Sequence, residues 1–165
     1  ELQTGDLVAT RDNGFQPLRW IGRQKVAAQV TAAPVVFATG AIGNTRPLAV
    51  SPQHRMMVTG WRAELLFFMD EVLVPAIALI NESTIRQRAG GTVEYIHILF
   101  DHHEIVMADG VPSESFYPGP VALNALADAT RQEVLDLFPS LSCDLPPPHE
   151  AARMILTVRE GRLLA

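Results

Sequence analysis

Three of the five histidines fall within Tyr95–Ser115, where His97, His102 and His103 surround Asp101. A fourth, His54, closes Ser51-Pro52-Gln53-His54. Imidazole changes charge near neutral pH, so these two stretches are the ones equipped to move protons. Four readings are open to them. In the first, a side-chain nucleophile attacks a neighbouring backbone carbonyl, which requires a proton on the leaving amide nitrogen and a held oxyanion. His54 can deliver that proton, Ser51 can hold the scissile peptide or the backbone, and a second histidine with a carboxylate can assist. In the second, His97, Asp101, His102 and His103 ligate a metal. Adjacent strand residues point to opposite faces, so His102 and His103 share one ion only in an irregular turn. In the third, Ser51, His54 and Asp101 form a hydrolytic triad, although Ser51 lacks the Gly-x-Ser-x-Gly turn that exposes such a nucleophile. In the fourth, Asp101 and the histidines solvate a turn and His54 is a hydrogen-bonded histidine at a sheet edge.

The elements that must position these groups are short. Apolar, β-branched runs at Val26–Val30, Val35–Phe37, Leu48–Val50, Met56–Val58, Val72–Ala76 and Thr84–Gln87 predict strands. Asn13-Gly14 between Leu7–Thr10 and Pro17–Gly22 predicts a hairpin. Leu65–Met69 pairs by its apolar character with the run at Val72–Ala76, and Pro75 favours a short helical turn over Ala76–Ile80. Tyr95–Phe100 and Glu104–Ala108 predict a hairpin closed by Asp101-His102-His103. Val121–Phe138 has apolar residues near helical spacing, with the spacing of a capping box at Thr130 and Glu133. Met154–Val158 is strand-like. The fold class is mostly β with a C-terminal helical region.

Composition narrows the function classes. A chain of 165 residues with 48% apolar and 19% charged residues is globular and long enough for a buried core. A net charge of −5 without a Lys/Arg run argues against a nucleic-acid partner. No apolar stretch is long enough for a membrane span. The single cysteine, Cys143, leaves no internal disulfide and no cysteine-based zinc site; before Pro146-Pro147-Pro148 it reads as a free thiol in a linker.

Taken in order, several short pieces resemble one family. They are Glu1–Val8, Leu18-Arg19-Trp20-Ile21-Gly22, Val50-Ser51-Pro52-Gln53-His54, Leu73-Val74-Pro75-Ala76, and Tyr95–Ser115 with its Pro112-Ser113-Glu114-Ser115. This set resembles the Hint module shared by Hedgehog autoprocessing domains and inteins, most of all its bacterial subgroup in larger, often secreted proteins. The resemblance implies a horseshoe of short strands over residues 1–120, with residues 121–165 as an extension packed on it. It implies an N-to-S or N-to-O acyl shift that cleaves the peptide bond before the module, with the chain's own upstream polypeptide as substrate. Ser51 takes the place of the family's Thr and His54 that of its His. His103 fits the later histidine, with Asp101 as a helper. No cofactor and no metal belong to this expected site. The family's nucleophile, a Cys or Ser opening the module, has no counterpart in Glu1–Val8, so the chain as written is expected to be inactive. Gly110-Val111-Pro112-Ser113 lacks the His-Asn pair of splicing inteins, so no splicing is expected.

Overall fold

Gly14 takes a positive φ of 65°. That conformation lets β1 (Leu7–Thr10) turn through Arg11-Asp12-Asn13 into β2 (Gly14–Pro17), pairing Thr10 with Gly14 and Leu7 with Pro17. The computed structural model describes residues 2–118, 123–124, 126–138 and 150–165. Along them follow β3 (Trp20–Ala27), β4 (Val35–Phe37), β5 (Leu48–Val50), β6 (Arg55–Thr59), α1 (Trp61–Phe67) and β7 (Glu71–Pro75). A 3-10 turn (Ala76–Leu79) leads to β8 (Ile85–Gln87), β9 (Thr92–Leu99), β10 (Ile105–Ala108), β11 (Val111–Glu114), α2 (Asp128–Leu137), β12 (Met154–Ile155) and α3 (Val158–Gly161). The fold is mostly β, as the strand pattern predicts. Among the described residues no helix is long and apolar enough to cross a membrane.

The strands form three sheets. The largest has the order β12-β7-β6-β11-β10-β1-β2; β3 pairs with β9, and β4 lies between β5 and β8. Val35, Phe37, Val50, Met56, Val72, Val74 and Leu156 pack into one core between them. A second cluster joins Trp20 and Leu99 of the β3–β9 pair to Val134 of α2. The helix is tied there by a bond from Trp20 Nε1 to Glu133 Oε2 at 3.2 Å.

Several local expectations change. The strand returning to β1 is Gly14–Pro17, while Trp20–Gly22 belongs to β3, which ends at Ala27, short of Val30. Of Met154–Val158 only Met154–Ile155 is strand, and Val158 opens α3. Tyr95–Phe100 and Glu104–Ala108 do not pair with each other. All eight residues of β9 pair with β3, from Trp20–Leu99 to Ala27–Thr92, while β10 turns back into β11. Asp101-His102-His103 is therefore a crossing between two sheets. The run at Leu65–Met69 belongs partly to a helix: Trp61-Arg62-Ala63-Glu64-Leu65-Leu66 contains Arg, Ala, Glu and Leu, which favour helix over strand. Gly60 at φ 122° ends β6, and Phe68 at φ 58° ends the helix before β7. Thr130 lies inside α2, whose N-cap is Ala127. The capping box is formed instead by Thr157 and Glu160 at the start of α3. Cys143 and the whole Pro139–Pro148 connection lie outside the described residues.

Candidate functional site

The turn after β5 places His54. Its backbone N–H donates to Ser51 O at 3.1 Å, and the two carbonyls it carries forward are both used: His54 O accepts from Ala76 N–H, and Pro52 O from Ile77 N–H. Four residues are thus locked against the 3-10 turn, and the His54 side chain inherits that rigidity. The ring enters a cavity of about 410 Å³ whose walls include Ser51, His54, Tyr95, His97, Glu114 and Phe116. That volume is in the range of small-ligand sites.

The β6–β11 pairing brings the second half of the site. Met56 is opposite Ser113. Ser113 Oγ lies 2.5 Å from Nε2 of His54. Glu114 is buried beside it. Its Oε1 accepts the backbone N–H of Arg55 and its Oε2 the Arg55 Nη1, both at 2.8 Å. Behind Glu114 lies His103, whose side chain is fully buried. Its Nε2 is 3.5 Å from Glu114 Oε2, an ion-pair distance too long for a good hydrogen bond. Nδ1 of His103 accepts the backbone N–H of Ala152 at 3.1 Å, and its ring stacks obliquely on Tyr117. With Nδ1 as acceptor, the ring proton is assigned to Nε2, on the side of Glu114.

The electrostatics follow from burial and from these neighbours. Burial, opposed by Glu114 and reinforced by Arg55 and His103, pushes the His54 imidazole below its ordinary value. His97, on β9 with its ring edge on Phe116, is pushed down by burial and then by His54. Burial alone would push Glu114 up. His103, His54 and Arg55 outweigh it and hold the carboxyl below the usual range. The site therefore presents two neutral imidazoles and one buried carboxylate at neutral pH. Such a set can pass a proton to or from a peptide nitrogen lodged in the cavity.

The structure brings Ser51 and His54 to the cavity wall and His103 to its second layer. Asp101 lies elsewhere: it receives Arg19 Nε on both carboxylate oxygens at 2.9 Å and is not among the lining residues. Asp101 does not complete a triad with Ser51, because the hydroxyl bonded to His54 is that of Ser113. His102 is exposed and does not line the cavity. His97, which histidine count alone leaves without a role, faces the same cavity as His54. Among the described residues no three His, Cys, Asp or Glu side chains gather as a metal site would require. Sequence reasoning gave no role to Ser113 and Glu114, which it used only as part of the resemblance, and did not single out Arg55. The available signal was two consecutive polar residues, Ser113 and Glu114, in a strand that had to be buried.

No curated protein and no solved structure matches the chain. A family described as Hint domain matches residues 1–120. That span holds both the Ser51–His54 turn and the β10–β11 hairpin that supplies Ser113 and Glu114, and by it the chain belongs to the Hint-domain family.

Proposed function

We propose that the chain is an autoprocessing module, which in its intact parent cleaves the peptide bond ahead of it by an acyl shift. The substrate is the parent's own upstream polypeptide, which also supplies a Cys or Ser nucleophile. Its sulfur or oxygen bonds to the carbonyl carbon of the preceding residue, and the carbon–nitrogen bond breaks. The nitrogen leaves as an amine after taking up a proton, and a thioester or ester remains. His54 donates a hydrogen bond to that nitrogen, and the proton the amine gains is the one the nucleophile's thiol or hydroxyl loses. Ser51 hydrogen-bonds the bent peptide, and His103 assists as a buried neighbour of Glu114. Asp101 takes no part in the proton transfer and ties the end of β9 to Arg19. The observation that supports this most is a rigidly anchored His54 on the wall of a cavity with Ser51 beside it. A precursor with a reporter and a Cys-bearing first segment joined to Glu1 tests it. Cleavage at the cysteine, enhanced by dithiothreitol and lost in His54→Ala, is expected. An uncleaved precursor, or equal cleavage in both, would sink the reading.

A second reading, an interaction domain of a larger secreted or surface protein, draws on α1. Trp61 and Leu65 are exposed on it and Phe68 just after it, Phe68 to 89%, and such patches mark contact surfaces. Under it the precursor stays whole, and Leu65→Ser with Phe68→Ser abolishes an association seen by sedimentation.

A further inference from the structure

Ser113 reaches His54 from the sheet and not from the cavity. His54 and Met56 lie two residues apart and share a face, and Ser113, paired with Met56, presents the same face. Ser113 is 2% exposed and does not line the cavity, although its neighbours Glu114 and Ser115 do. Its hydroxyl carries a proton that is costly to bury without an acceptor. The acceptor given to it among the described residues is Nε2 of His54, at 2.5 Å. Were Nε2–H the donor instead, the buried hydroxyl proton would have nowhere to go. When Nε2 accepts, a neutral imidazole must carry its proton on Nδ1.

We propose that Ser113 is a positioning residue that holds neutral His54 in the Nδ1–H form, so that the ring offers a donor to a peptide nitrogen in the cavity. The tautomer stands on the His54–Ser113 geometry; its consequence for cleavage rests on the autoprocessing reading. The requirement is chemical: the nitrogen's lone pair, freed as the amide bond breaks, needs a hydrogen-bond donor, and the opposite tautomer would present a lone pair to it. Glu114, Arg55, His97 and His103 surround the ring as charges or neighbours, and none of them hydrogen-bonds it among the described residues. Ser113 therefore makes the choice between the two nitrogens.

Long-range proton–nitrogen spectra of the labelled 165-residue chain above neutral pH read the tautomer directly, with His54 assigned through His54→Gln. The wild type should show Nδ1–H, Ser113→Thr should keep it, and Ser113→Ala should shift the ring toward Nε2–H. A wild-type ring in the Nε2–H form overturns the proposal, as does an unchanged tautomer in Ser113→Ala. If Ser113→Ala fails to fold, the wild-type and threonine spectra still decide. In the cysteine-bearing precursor, Ser113→Ala should slow cleavage about a hundredfold, with threonine restoring it. Undiminished cleavage in a tautomer-switched Ser113→Ala overturns the positioning role. A precursor that never cleaves, with the spectra as expected, sinks the autoprocessing reading alone.

Discussion

Nδ1 of His103 accepts the backbone N–H of Ala152 at 3.1 Å. The bond joins the crossing between β9 and β10 to the segment leading into β12, which pairs in parallel with β7. A buried ring at this point closes the large sheet as well as facing Glu114. Replacing it with alanine opens a cavity and strands a backbone donor. His103→Ala should cost about 2–4 kcal/mol, read as a lower urea midpoint with an unchanged slope. A midpoint equal to wild type would show that the ring does not hold the two segments together.

Glu114 is the buried acceptor for Arg55 and the neighbour of His103. Removing one member of a buried charged set leaves the others uncompensated. Glu114→Gln keeps the volume and removes the charge, and should destabilise by about 3 kcal/mol. Arg55→Met in the same background should recover part of the loss in chemical denaturation, because it removes the stranded cation. Simple addition of the two losses would contradict the coupling.

The two cavity histidines give the protein a defined acid limb. His54 and His97 are both pushed below the ordinary 6.5, burial being the first cause for each. Between the lowered and ordinary values the unfolded chain binds protons that the folded chain does not. Their contribution is therefore complete above 6.5 and is lost as pH falls from there through the folded values. Glu114, held below 4.5, adds a second loss at lower pH. Urea titrations at several pH values should show stability falling below 6.5. His54→Gln combined with His97→Gln should flatten that first limb and leave the second.

Asp101 and Arg19 form an exposed ion pair. Exposed pairs contribute little, and this one stands outside the cavity. Asp101→Asn should leave both the unfolding midpoint and precursor cleavage close to wild type. A loss of cleavage comparable to that of His54→Ala would place Asp101 in the proton path after all.

Local pattern made much of the molecule legible. The strand runs at Val35–Phe37 and Leu48–Val50 reappear residue for residue as β4 and β5. Pro75 introduces the 3-10 turn where its preset φ suits one, and Asn13-Gly14 turns the first hairpin. Leu65–Met69 misled because apolar residues were read as strand, whereas Arg62, Ala63, Glu64 and Leu65 favour a helix whose apolar side chains stay largely in solvent. The histidine-rich stretch misled for another reason. Two adjacent apolar runs look like a hairpin, yet β9 satisfies its backbone with the distant β3, from Trp20–Leu99 to Ala27–Thr92.

The sequence by itself determined the mostly β character and the Ser51–His54 turn, because alternation, turn residues and a proline act over a few neighbours. Only the tertiary structure decided which groups meet His54. Ser113 lies 59 residues away along the chain and reaches Nε2 through the pairing of β6 with β11. Asp101 was drawn to Arg19, and His97 was turned to the cavity by the register of β9 on β3. Sheet register is a long-range property: a shift of one residue would reverse every side chain in the strand, and no local stretch of sequence records it.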